Sequence, residues 1–510
     1  MSILLERYDQ LDLPLYRRIA FEREAVAVAP DLLSEVSESR AALLDYLASG
    51  ARAYGVNTGL GYLASRVVED VDQAAFQRSI LAGRSTGLGR PLSEPVVRGA
   101  ILLRLTGFLS GYAGVTPDLC SFLADRLNDG WFPVVPGGVS GAAGEIIPLA
   151  HLFSTLVGDG LVWADGLQVS AETRLATLGV ARYELGAKEG IALINGAPLA
   201  PALGVPLLLR ADALLEHATL CGAAAIALSG AAERPYVLRV GELKGDPGQL
   251  AVHRRLVALL APSGDQLSDA RQAPVSLRVI PQVHGAAVDM LGQLRDQLDR
   301  ELRAVTDSPV FLGASGVGKD AEPAGLYSTG NFHAQALTLL LDATAIAMTQ
   351  ILNLLEKQLH RLLDSRFSGL PDQLTPEPGR RSGLVTVHKQ VIGLVAQARG
   401  LAAPATIHAL DASSGQEDIQ AFTLLAAGQL DGILDALELG LAYALVAVRQ
   451  ARYLSGTPLP APLEERLTRV ADVMEPVVED RALAGDVSRV RELVASGELI
   501  GGVRSVAIWS

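Results

Sequence analysis

Residues 334–363 and 416–454 run without a proline and are apolar on more than one face. A helix of about 30 residues spans about 45 Å. A helix apolar on several faces is not stable alone in water and has to be buried among others. Two further segments support the same fold. Residues 207–232 are rich in Ala and Leu at helical spacing. Within 283–303, Val283, Ala287, Met290, Leu291, Leu294, Leu298 and Leu302 mark one face of an amphipathic helix. These segments predict a mainly α chain built on a bundle of long helices. Upstream the pattern changes, with Gly and Pro recurring from Gly55 to Gly138. That density predicts loops with unusual backbone angles between short helices. The expected division is a Gly-rich N-terminal portion, 1–200, and a long-helix bundle with C-terminal helices, 201–510. Residues 370–381, with three prolines, read as an exposed loop between helices.

Composition narrows the class. A chain of 510 residues is too long for one ordinary core. The net charge of −13, without a Lys/Arg-rich face, gives no footprint for nucleic acid. Cys120 and Cys221 are isolated in apolar surroundings and read as core fillers. The eight histidines include no pair at metal-ligand spacing, so no metal is expected. No long uncharged apolar run and no secretory signal are seen, so a cytoplasmic enzyme without a membrane span is expected.

The chemistry is concentrated in six blocks. Residues 131–151 read Trp-Phe-Pro-Val-Val-Pro-Gly-Gly-Val-Ser-Gly-Ala-Ala-Gly-Glu-Ile-Ile-Pro-Leu-Ala-His. The others are Tyr54-Gly55-Val56-Asn57-Thr58-Gly59-Leu60-Gly61, Ala192-Leu193-Ile194-Asn195-Gly196, Gln272 with Val275-Ser276-Leu277-Arg278, Gly330-Asn331-Phe332-His333, and Ser414-Gly415-Gln416-Glu417-Asp418. In this order they resemble the histidine and phenylalanine ammonia-lyase family. The resemblance is good from about residue 52 to 420. It implies the ammonia-lyase (fumarase/aspartase-like) architecture and a homotetramer whose sites draw on three chains. It also implies roles. Tyr54 would be the catalytic base, and Asn195 and Glu417 would lie beside the substrate. Arg278 would bind its carboxylate, a task that suits a planar guanidinium. Gln272, Phe332 and Gln416 would complete the substrate pocket.

The departures are as informative. In the family an Ala-Ser-Gly triplet cyclises into the electrophile MIO, 4-methylideneimidazole-5-one. Its methylidene carbon is the serine β-carbon after the hydroxyl leaves as water. Here the triplet is Ala142-Ala143-Gly144. An alanine methyl has no leaving group, so MIO is not expected and no cofactor is predicted. The preceding loop is one residue shorter than the family's, with five residues between Pro136 and Ala142. Val139-Ser140-Gly141 offers another serine, but three residues out of register with the Pro148-Leu149-Ala150-His151 anchor. Val275 replaces a tyrosine. Gly83-Arg84 replaces a pair that is Ser-His or Phe-Leu in relatives. Ser308 and Gln335 replace an Asn and a Glu.

Each residue also has a plainer reading. Tyr54 can be a loop aromatic, Arg278 a structural ion pair, and Asn195 a helix cap. Phe332 can be core packing, Glu417 a carboxylate favoured by a helix start, and Arg84 a solvated surface charge. Three functions remain open. The first is a MIO-independent lyase, isomerase or cyclase using Tyr54 as general base on a carboxylated small molecule, with Arg84 facing a second acidic group. The second is a catalytically inactive homologue that binds or assembles. The third is an aromatic amino acid ammonia-lyase or aminomutase carrying a Ser-to-Ala change.

Overall fold

The computed structural model describes residues 2–68, 73–260, 272–314, 322–456 and 458–502. Five long helices form its centre: α1 (Leu199–Leu228), α2 (Ile280–Glu301), α3 (Gln335–Leu362), α4 (Val385–Leu401) and α5 (Thr423–Ser455). Helix α1 packs against α2, α3 and α5, while α3 also packs against α2 and α4, and α4 against α5. One apolar core runs through the bundle and into the N-terminal helices, from Leu5 to Leu499. The long apolar segments of the sequence are thus the bundle helices.

Boundaries shift where local chemistry intervenes. Helix α1 begins at Leu199 rather than near 207 and carries Pro206 in its interior. Its burial on nearly every face offsets the lost backbone hydrogen bond. Helix α5 begins at Thr423, not 416, because Phe422 takes a left-handed conformation (φ 54°). The segments Glu189–Leu228 and Gln335–Leu362 are long and apolar enough to cross a membrane by length and composition, but 94% and 61% of their most apolar stretches are buried inside the chain. They behave as core helices.

A buried charge cluster pins α1 to α5. Arg210 lies 2.9 Å from Asp431, 2.6 Å from Asp435 and 3.0 Å from Glu438. Burial pushes the Asp431 carboxyl up to about 6 despite the guanidinium beside it. Removing Arg210 would take the ion-pair partner from the buried Asp431, which is costly, while Glu438 would keep Arg491 at 2.8 Å.

Strand structure among the described residues is confined to two-stranded ribbons: Ile3–Leu5 parallel to Val26–Val28, Leu161–Ala164 antiparallel to Leu167–Ser170, and Val310–Leu312 antiparallel to Gly325–Tyr327. Glycine is required where two loops pass back to back. A Cβ on Gly138 would lie 2.0 Å from the Leu88 carbonyl, and Gly89 has φ +124°. Backbone bonds from Gly137 to Arg90 and from Leu92 to Val135 close the contact. This contact aims the 139–144 loop at the end of the bundle.

Candidate active site

The 139–144 loop leads into the helix Ile146–Ser154 and lines a pocket with Phe332, Leu199 and residues 421–425. The Ala143 backbone N–H donates to Oε2 of Glu417 at 2.7 Å. The other carboxylate oxygen accepts from Ser413 Oγ at 2.8 Å. Glu417 therefore arrives with both oxygens oriented. It is not at a helix start, as the apolar pattern suggested. It sits in the loop before α5, where Ser413 and Ser414 have φ of 50° and 56°. Two successive left-handed serines carry strain of order 1 kcal/mol or more each, a feature that clusters at functional sites. Gly144 lies close against Phe332: a Cβ there would sit 3.2 Å from the ring.

Tyr54 approaches from the N-terminal loop. Gly55 has φ +67°, and its Cβ would lie 2.7 Å from Leu60. The phenol oxygen accepts from the Gly61 amide at 2.9 Å. The turn Gly61–Leu63 packs on the turn Ser413–Gly415, which joins the Tyr54 and Glu417 loops. Arg84 is half-buried beside them, with Nη1 3.3 Å from the Ile80 carbonyl. Burial lowers its guanidinium from the usual value, while the charges of Tyr54 and Glu417 pull the other way. Among the described residues, no carboxylate lies within ion-pair distance of Arg84. One chain thus assembles Tyr54, Arg84, Phe332 and Glu417 around Ala143.

Other candidates are placed differently. Asn195 closes the helix Glu189–Ile194, and its Nδ2 donates to the Ser308 carbonyl at 2.6 Å. Its amide thus satisfies buried backbone, four residues before α1 begins. Gln416 is exposed beside Glu417. Arg278 donates from Nε to the Ala273 carbonyl at 3.0 Å. With its amide oxygen turned to Arg278, Gln272 accepts from Nη1 at 3.0 Å and Nη2 at 3.2 Å. This pair is not at the Tyr54 cluster of the same chain. Its helix, Val275–Arg278, leads into Ile280, which packs on Gly222. Glu145 meets the opposite end of α1, at Leu199. The two ends of that contact are 23 residues apart on α1, about 35 Å along the axis. Val275, at the position read as a replaced tyrosine, is 59% exposed in the single chain.

Sequence reasoning passed over Glu145 and Arg104. Glu145 accepts from the Leu199 and Ala200 amides, both at 2.6 Å, and so satisfies two free N–H groups at the start of α1. Burial pushes its carboxyl up to about 8, against those two bonds and the attraction of Arg104. Arg104 is fully buried, donates to the Asn195 carbonyl at 2.7 Å, and is drawn down to about 10 by burial. Behind it, Lys188 and Asp307 form a buried ion pair at 2.7 Å. The one available signal was position: Glu145 directly follows the degenerate triplet.

The aromatic amino acid lyase family model matches residues 11–475. A histidine ammonia-lyase from Geobacillus thermodenitrificans (strain NG80-2) is 35% identical over 483 residues, covering 93% of this chain and 94% of the relative. The crystal structure of a tyrosine aminomutase from Streptomyces globisporus superposes with a TM-score of 0.90 at 27% identity, covering all of both chains. That of a histidine ammonia-lyase from Trypanosoma cruzi gives 0.87 at 26% identity, covering 98% of this chain and 94% of the other. The ordered motifs, the helical architecture and these matches together establish that this chain belongs to the aromatic amino acid lyase family.

Proposed function

We propose that this chain is a lyase, isomerase or cyclase of the histidine ammonia-lyase family that works without MIO, by general-base chemistry from Tyr54 on a carboxylated small molecule. The observation that carries the reading is the methyl group of Ala143 at the position of the cyclising serine. It stands inside a site that keeps Tyr54, Phe332 and Glu417 around it. The residues do not fit the electrophile, since Cβ of Ala143 bears no hydroxyl to expel.

The remaining groups support a simpler reaction. Acting as phenolate, after releasing its own proton to solvent, the Tyr54 oxygen, held by the Gly61 amide, takes a proton from a substrate carbon made acidic by conjugation and so returns to the phenol. The electron pair then either expels a β-substituent or shifts along the conjugated system, with reprotonation elsewhere. Without an activating electrophile the leaving group has to be better than ammonia. Positioning and proton transfer together still supply several orders of magnitude. Arg84, a half-buried cation with no ion-pair partner among the described residues, suits a second acidic or strongly polar group on the substrate. Arg278 suits the first carboxylate, but only if another copy of the chain supplies it, since within one chain its segment packs near Gly222 and the Ala143 loop meets Leu199, toward opposite ends of α1. A homotetramer meets that need. Leu339 and Ile346 on α3 and Ile392 on α4, 55%, 44% and 48% exposed, leave apolar surface for the contact.

The experiment is the reverse substitution. The parent should lack the near-ultraviolet absorbance of MIO, resist borohydride and release no ammonia from histidine, phenylalanine or tyrosine. Ala143→Ser should not by itself restore rapid release. If it does, the chain is an amino acid ammonia-lyase disabled at one position, and the present reading falls.

A further inference from the structure

Far from the Ala143 loop, α3 and α4 pack side by side. Glu356 and His360 stand four residues apart on α3, so their side chains leave the same face of the helix one turn apart. His388 faces them from α4. Its Nε2 lies 2.7 Å from Oε1 of Glu356. The His360 and His388 rings stack with centroids 4.5 Å apart and an interplanar angle of 27°. One ligand atom from each of the three residues lies within 4.8 Å of the other two. Glu356 is buried and both imidazoles are half-buried. The sequence expectation of no metal considered histidine pairs only. A Glu-x3-His pair completed by a third group through tertiary packing lies outside that criterion.

We propose that Glu356, His360 and His388 form a binding site for a divalent transition-metal ion, with zinc the best chemical match. Zinc takes imidazole nitrogen at about 2.0–2.1 Å and carboxylate oxygen at about 2.0–2.2 Å, which sets ligand atoms roughly 3.3 Å apart in a tetrahedron. The Glu356–His388 pair, at 2.7 Å, has to open by about 0.6 Å, and the His360 nitrogen, within 4.8 Å of the other two atoms, to close by up to about 1.5 Å, both within reach of side-chain rotation. Two imidazoles with one carboxylate favour zinc over magnesium or calcium, which prefer all-oxygen sites. The half-exposed rings leave a fourth position for water. The neighbouring cations are already engaged. Lys357 Nζ holds Oε2 of Glu356 at 2.7 Å, which turns Oε1 toward His388. The Arg361 guanidinium lies over the Phe367 ring at 4.6 Å. The site also adjoins the Arg278 segment, since Gln358 Nε2 donates to the Ser276 carbonyl at 3.1 Å. A metal here would tie α3 to α4 next to the arm that carries Arg278.

The test is zinc titration of the chelator-stripped full-length protein against a chromophoric competitor at neutral pH. One zinc per chain is expected, with a raised melting temperature. His360→Ala and His388→Ala should each weaken binding by about 100-fold or more. His388→Gln can still donate to Glu356, so the metal-free protein should melt like the parent while zinc binding falls. Cobalt(II) should give the visible absorption of a four-coordinate ion in the parent alone. No zinc binding by the folded parent, or equal affinity in the parent and all three variants, would overturn the site and leave the trio as a hydrogen-bonded staple between two helices.

Discussion

The Glu417 carboxylate accepts the backbone N–H of Ala143 at 2.7 Å, joining positions 274 residues apart. This bond links the loop that carries Ala143 to the loop that precedes α5. It holds the 139–145 backbone against the end of the bundle. Glu417→Ala leaves a part-buried amide unpaired, a loss of about 1–3 kcal/mol in local stability. Amide hydrogen exchange should therefore quicken over residues 139–145 while the core of α1 stays protected. Unchanged exchange there would show that the bond does not hold the loop.

Tyr54 and Arg84 should separate cleanly in binding and turnover. Tyr54→Phe removes the proton acceptor and should lower kcat by about 10²–10⁴-fold with affinity nearly kept. Arg84→Ala should weaken binding of a dicarboxylate ligand by about 2–5 kcal/mol. Half-burial and solvent screening favour the low end of that range. Calorimetry with each variant checks this, and equal affinity for Arg84→Ala and the parent would remove the second acidic group from the substrate.

Tyr54 and Arg278 should act from different copies of the chain. Tyr54→Phe and Arg278→Ala variants, each inactive alone, should regain about one quarter of parental turnover when co-expressed, as expected for independent assortment in a symmetric oligomer. Analytical ultracentrifugation should show a tetramer. A stable monomer, or co-expressed variants without recovery, would contradict a shared site.

Glu145 should make stability fall with rising pH. Burial pushes its folded carboxyl up to about 8, above the ordinary value, so the folded state binds more protons than the unfolded one between the two values. Stability from this group is fully present at acidic pH and is lost as pH rises toward 8, with a slope of at most about 1.4 kcal/mol per pH unit. Glu145→Gln should flatten that slope in denaturation curves. A slope equal to the parent's would assign it to other groups.

The sequence was enough for the bundle. Segments apolar on several faces, such as 334–363, can only be buried helices, and α3 (Gln335–Leu362) follows within one residue at each end. It also singled out Tyr54, Ala143, Phe332 and Glu417 as candidates, because each stands in a motif with its own local order. Helix ends were less legible. The left-handed Phe422 keeps Glu417 off α5, and Pro206 lies within a helix that seemed to begin after it. What only tertiary structure decided are the pairings between distant segments. These are Ala143 with Glu417, Glu145 with the start of α1, His388 with Glu356, and the separation of Arg278 from Tyr54. Periodicity is a property of neighbouring residues along one helix. Which carboxylate meets which amide depends on how apolar faces of different helices interlock, and that is settled only when the core packs.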